Sequence, residues 1–220
     1  MGRFIVIDGL DGSGKETQAE LLKEKIEKDG KKVRMISFPD YNNVSSCFVK
    51  MYLNGELGKD PSDTNAYAAS MFFGADRYIS YRTDWHRDYE NPETTVIANR
   101  YTTANAVHQL SKLPRTQWEE FLNWLWDFEY EKLGIPKPDN VIYLEMLPEI
   151  SLRLISKRAS ETGRKIDIHE ADAGFLERSY EAALYASSRL GWTHIKCYEN
   201  GEPVSRETAH KMIIDALGTI

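Results

Sequence analysis

Residues 4–18 read FIVIDGLDGSGKETQ, and the fold turns on how that stretch is understood. Phe4-Ile5-Val6-Ile7 is a continuous apolar run that meets a Gly-rich turn. A strand buried on both faces of a parallel sheet has that character. Beyond the turn, Ala19, Leu21, Leu22 and Ile26 recur at helical spacing until Asp29-Gly30, a stop signal. Between strand and helix, Gly9, Gly14 and Lys15 stand in register with the phosphate-loop pattern G-x-x-x-x-G-K-[ST]. Backbone N–H groups of such a turn and of the helix start converge on an anion, helped by the helix dipole. Lys15 adds a point charge.

Position 16 departs from the pattern: it holds Glu16 where a hydroxyl would meet Mg²⁺. Thr17 follows, but successive helical residues point about 100° apart, so it is no simple substitute. A carboxylate is itself a hard oxygen ligand suited to Mg²⁺. An acidic residue in the first helical turn is also favoured by the dipole alone. Both readings of Glu16 stay open.

Further strands are expected at VRMISF (33–38), TTVIAN (94–99), NVIYLEM (140–146) and THIKCY (193–198), with helical patterns between them. That alternation predicts an α/β fold, a doubly wound five-stranded parallel sheet flanked by helices. DTNAYAASMFFGADRYISYR (63–82) reads as one long helix with Ala66, Ala69, Phe73, Arg77 and Tyr81 roughly on one face. Thr116 and Glu119 form a capping-box pattern before a helix carrying Phe121, Trp124, Trp126 and Phe128. Those aromatics read as core rather than as a ligand wall.

The 220 residues suffice for one domain with a full core, and no linker, repeat or boundary divides them. A hydrophobic fraction of 41% with 28% charged residues is that of a soluble globular protein. The net charge of −6 argues against coating a nucleic acid. Cys47 and Cys197 fit neither a metal site nor a disulfide framework, which points to the reducing cytoplasm. FIVI is too short for a secretion signal, and no run approaches a membrane span.

FIVIDGLDGSGKETQ (4–18), SFPDY (37–41), MFFGADRY (71–78), ANRYTTAN (98–105), PDNVIYLEMLPEISLRLISKR (138–158) and GRKIDIHE (163–170) come in an order that spans nearly the whole chain. Together they resemble the thymidylate (dTMP) kinase family of P-loop nucleoside monophosphate kinases. The resemblance implies Mg²⁺-dependent transfer of the ATP γ-phosphoryl to dTMP, in a cytoplasmic homodimer. Gly9, Asp11, Gly12, Ser13, Gly14, Lys15, Glu16 and Thr17 would then bind ATP. Asp11 would also meet the deoxyribose 3′-OH. Phe38, Tyr41, Phe73, Arg77, Arg100, Asn105, His108, Asp167 and Glu170 would surround dTMP. Of these, Phe73 would stack on thymine, Arg77 would reach a base carbonyl, Arg100 would fork onto the monophosphate, and Asn105 would bond the base edge. His108 stands where the family often has an aromatic beneath the sugar.

The segment 153–170, with Arg153, Lys157, Arg158, Arg164 and Lys165, resembles the family's lid. A basic loop can close over transferring phosphates and stabilise their charge. The family carries an arginine in the phosphate loop or in the lid. Gly12 occupies the loop position, so Arg158 or Arg164 should supply it.

Three positions depart from the family pattern: Glu16, Asp40 where an arginine is usual, and Asn99 where an aspartate is usual. Gaining a carboxylate at 16 while losing one at 99 reads as relocation of a metal ligand. Eroded catalysis, leaving a nucleotide-binding protein, and a different monophosphate acceptor are the alternatives.

Overall fold

The computed structural model describes residues 1–163 and 172–218. The elements run β1 (Phe4–Gly9), α1 (Lys15–Lys28), β2 (Lys32–Ser37), α2 (Cys47–Leu53), α3 (Ala66–Ser80), α4 (His86–Glu90), β3 (Thr94–Asn99) and α5 (Thr102–His108). They continue with α6 (Trp118–Trp126), β4 (Asn140–Glu145), α7 (Pro148–Thr162), α8 (Ala173–Leu190), β5 (Thr193–Lys196), β6 (Tyr198–Glu199), β7 (Glu202–Pro203) and α9 (Arg206–Leu217). Strands β1 to β5 form one parallel sheet in the order β2-β3-β1-β4-β5.

The apolar run Phe4-Ile5-Val6-Ile7 lies in β1, the central strand, with every residue buried. Its alternation feeds two cores. Ile5 and Ile7 pack with Ala19, Leu22 and Ile26 of α1 and with Ala209 and Ile213 of α9. Phe4 and Val6 pack on the other side with Trp85, Tyr101 and Tyr130. Burying one such aliphatic side chain contributes about 1.5–3 kcal/mol, so β1 anchors both layers. Because the strands are parallel, Gly9, Ser37, Asn99 and Glu145 all end at one edge, where open α/β sheets bind ligands.

The structure corrects three local expectations. THIKCY is not one strand: β5 stops at Lys196, and Tyr198–Glu199 turns into a hairpin with Glu202–Pro203. Asn200 and Gly201 take φ of 51° and 77°, the left-handed pair that an Asn-Gly turn supplies. The helix expected over 63–82 begins only at Ala66, where the Asn65 side chain accepts a bond from the Ala68 N–H. Asp63 belongs instead to a short turn capped by Asp60, and past Ser80 the chain widens into a π-helical turn, Tyr81–Trp85, that buries Trp85. Thr116 does not cap α6. It lies in the preceding 3-10 turn, and Glu119 turns to Arg189 and Tyr185 of α8. The aromatics of this region are core, as expected: Phe121 is buried, and Trp124 stacks on Phe128 at 5.2 Å.

Candidate active site

A cavity of about 1140 Å³ opens along the carboxyl edge of the sheet. Its floor is the turn between β1 and α1. Gly12 and Gly14 hold φ of 82° and 85°, which a side chain would strain. A Cβ at Gly9 would come within 2.6 Å of the Leu144 carbonyl, so that position is closed to anything larger. These constraints explain the glycines of the opening motif by backbone geometry alone. Gly14 precedes α1 directly, so the first free N–H groups of that helix border the cavity with Lys15, Glu16 and Thr17.

Three charges meet over this turn. Lys15 Nζ lies 3.3 Å from Asp11 Oδ1 and donates to the Leu10 carbonyl at 3.3 Å. Arg100 Nη2 donates to the same Asp11 oxygen. Arg100 follows β3 with φ of 66°, a left-handed conformation that few non-glycine residues adopt. Burial opposes the charge on Asp11, but Arg100 and Lys15 outweigh it and hold the carboxyl well below its usual range. Beneath them Asp8 is buried, accepting from the Gly9 N–H and from Thr103 Oγ1. Burial raises its pKa against the pull of Arg100. An anion entering between Lys15 and Arg100 would compete with Asp11 for both cations.

One arm of the cavity is built by α3 and α5. Phe73 borders it, with Tyr52 set edge-on at 6.2 Å. Arg77 is 1% exposed and forks onto Glu129, Nε to Oε2 at 3.2 Å and Nη2 to Oε1. Burial works against its charge and Glu129 more than restores it. Asn105 is buried and donates to the Ser70 carbonyl at 3.4 Å. His108 stacks on Phe175 at 6.0 Å, and burial, with Arg100, depresses its pKa to about 3, so the imidazole is neutral. Phe38 and Tyr41 border the same arm, Phe38 buried and Tyr41 exposed.

The positions that depart from the expected pattern differ in placement. Glu16 is exposed on the first turn of α1 and faces the cavity. Asn99 borders it too, its amide donating to Ser37 Oγ at 3.3 Å. Asp40 is not among the described residues lining the cavity, although Pro39 and Tyr41 are. Its backbone N–H is tied instead to Asp76, which also accepts from Ser45. The basic residues expected of a lid divide likewise. Lys157 and Arg158 face the cavity from α7, whereas Arg153 points to the hairpin and pairs with Glu202 at 2.6 Å. Arg164, Lys165, Asp167 and Glu170 lie outside the described residues.

Several bordering residues escaped the sequence reading. Met146, Cys197, Val204 and Ala209 form an apolar second arm beyond the phosphate turn. Gln18 fixes this arm by donating to the Arg206 carbonyl at 2.9 Å. The Asn-Gly turn was the available signal for the hairpin that leads into it. Lys50 on α2 also borders the cavity, a cation on the side where Asp40 offers none.

Residues on both sides of the phosphate turn thus border one cavity. The thymidylate kinase family profile matches residues 7–207. The chain belongs to the thymidylate kinase family. It is 31% identical over 194 residues to a thymidylate kinase of Mycobacterium tuberculosis (strain ATCC 25618 / H37Rv), covering 86% of this chain and 87% of that one. It is 29% identical over 169 residues to a thymidylate kinase of Schizosaccharomyces pombe, covering 77% and 72%. A probable thymidylate kinase of Methanosphaera stadtmanae is 28% identical over 181 residues, covering 82% of each. Among the described residues, no helix is long and apolar enough to cross a membrane.

Proposed function

We propose that the protein transfers the γ-phosphoryl group of ATP to dTMP, giving dTDP and ADP. The observation that carries this reading is the convergence of Lys15 and Arg100 on one carboxylate where the two arms meet. Phosphoryl transfer demands that kind of place: an anion held by positioned cations, with the acceptor oxygen brought in line.

In this reading ATP lies with its base in the apolar arm and its phosphates on the turn from Gly9 to Thr17. Lys15 and Arg158 neutralise the charge on the moving phosphoryl group. Arg100, with Lys50 in place of the cation absent at position 40, aligns the acceptor phosphate. Phe73, Arg77 and Asn105 hold thymine, and Asp11 gives up its cations to the phosphates and turns to the sugar. A neutral His108 packs beneath that sugar. Arg164, Asp167 and Glu170 keep the roles the family resemblance implies. The whole chain acts as one domain, with 153–170 as its lid.

Mg²⁺ held with the help of Glu16 would supply charge neutralisation at the γ-phosphoryl. Among the described residues no group of three acidic, His or Cys side chains could hold a metal. Mg²⁺ in kinase sites needs less, one or two carboxylates beside substrate phosphates, and Glu16 on the cavity wall fits that demand. Glu16→Gln should raise the Mg²⁺ concentration for half-maximal turnover several-fold, with the melting temperature nearly unchanged. An unaltered Mg²⁺ titration would leave Glu16 only its dipole contact.

The protein works in the cytoplasm as a homodimer in this reading. Val44, Phe48 and Met51 near α2, with Met71, Tyr78 and Ile79 of α3, expose apolar surface for a second copy. ADP release measured over a panel of nucleoside monophosphates tests the activity. dTMP should be the best acceptor, and dUMP poorer by about the 1–3 kcal/mol that one methyl supplies. Faster turnover of dAMP, dGMP or CMP would overturn the assignment, and no turnover of any would leave a nucleotide-binding protein.

A further inference from the structure

The buried partner of Arg77 lies far away in sequence and had no place in the site expected from the motifs. Glu129 is 0% exposed and sits on a π-helical turn, Asp127–Lys132, that continues α6. One-turn π segments recur at functional sites, because the wider turn re-aims a side chain that a regular helix would place elsewhere. Here it directs a carboxylate inward against α3. Gly74 makes the approach possible: a Cβ there would lie 2.8 Å from Phe128 Cε1 and 3.4 Å from Glu129 Oε1. Phe128 is in turn held flat against Trp124.

The fork occupies Nε and Nη2 of Arg77, and Nη1 donates to the Tyr101 carbonyl at 3.3 Å. A guanidinium carries five N–H donors and no acceptor. Among the described residues three are used and two remain, and Arg77 borders the cavity. Its position is therefore set from behind, and what it shows the cavity is donors only.

We propose that Glu129 is a positioning residue for base selection: it fixes Arg77 so that the acceptor pocket takes a base with a carbonyl at that edge and refuses one with an amino group. Thymine offers the carbonyl; cytosine at the same place offers a donor facing a donor. The inference rests on the proposed role of Arg77 in holding thymine. A buried carboxylate that merely stabilised the fold would lack this effect on choice between bases.

The test uses the whole protein with Arg77→Leu, Glu129→Gln and the double substitution. dTMP binding is measured by calorimetry, and kcat and KM are measured for dTMP, dCMP and ATP. Glu129→Gln should weaken dTMP about tenfold or more, the scale of a hydrogen bond to a charged group. It should leave the KM for ATP within about twofold and compress the preference for dTMP over dCMP. The double variant should bind dTMP no worse than Arg77→Leu alone, because Glu129 acts through Arg77. Additive losses, unchanged dTMP affinity in Glu129→Gln, or equal deterioration of ATP and dTMP constants would each overturn the proposal. If Arg77→Leu keeps full dTMP affinity, the reading of Arg77 itself is what falls. Should Glu129→Gln not fold, Glu129→Asp keeps the charge but withdraws it by one methylene. Wild-type dTMP selectivity in that variant would equally overturn the proposal, and weakened dTMP binding with intact ATP binding would support it.

Discussion

Arg77 and Arg158 border one cavity and could hardly be treated more differently. Arg77 is sealed behind the surface, its fork closed on Glu129. Arg158 stands half-buried on α7, in the middle of the described part of 153–170. In the proposed reading the contrast separates two tasks. Reading a base requires a donor that cannot adapt, so its geometry is fixed by a buried partner before any ligand arrives. Neutralising a moving phosphoryl group requires charge that counts most in the transition state. Lys15, buried, and Arg100, half-buried, share the carboxylate of Asp11.

The largest effect that would break this division is at Lys15. Lys15→Met should reduce kcat/KM by about 10³-fold, the scale of losing a preorganised cation at the reacting group. The fold should survive, since Asp11 keeps Arg100 as its partner. Single-turnover measurement of ADP formation checks it. A loss under tenfold would shift the catalytic charge away from the phosphate turn.

Arg158→Ala comes next. It should lower kcat by about 10²-fold while ATP affinity changes little, the pattern of a contact made in the transition state only. Equal weakening of ATP binding would instead make Arg158 a ground-state clamp, more like Arg77 than unlike it.

A smaller effect concerns stability on the sealed side. The folded pKa of His108 is depressed to about 3, below its ordinary 6.5. Between those values the unfolded chain binds the extra proton and the folded one does not, so stability rises with pH across that window and is lost as pH falls. By pH 5 the cost is about 1–2 kcal/mol. His108→Phe should therefore lose less melting temperature between pH 7 and pH 5 than the wild type. Asp11, held low by its cations, loses its contribution only at more acidic pH, and the shifted His210 is common to both proteins. Parallel melting curves would mean that His108 does not carry this acid sensitivity.

The same contrast governs what could be seen in the sequence. The phosphate turn was legible because its demands are local: Gly12 and Gly14 supply positive φ, and Lys15 follows within one turn of chain. β3 matched residue for residue, its Val96-Ile97-Ala98 run being the apolar centre of a strand buried on both faces. Arg77 and Phe73 share a helix face and could be paired by spacing. Glu129 could not, since 52 residues and a π-helical turn separate it from Arg77. Arg153 and Arg158 were alike in sequence, both basic residues of one helix. Only the packing of the hairpin against α7 distinguishes them.

That distinction yields the smallest expected effect. Arg153 pairs with Glu202 through bonds of 3.0 Å and 2.6 Å, both side chains more than half exposed. Exposed ion pairs contribute about 0–1 kcal/mol, because water screens them and long side chains lose freedom in forming them. Arg153→Ala should thus leave kcat and both KM values within about twofold, with a melting temperature only slightly lower. Steady-state kinetics beside Arg158→Ala make the comparison direct, five residues apart on one helix. If Arg153→Ala slowed turnover as much as Arg158→Ala, the pair with Glu202 would have to open during catalysis and deliver Arg153 to the phosphates. Every basic residue of the segment would then belong to the lid's chemistry, and the division drawn from Arg77 and Arg158 would not extend along α7.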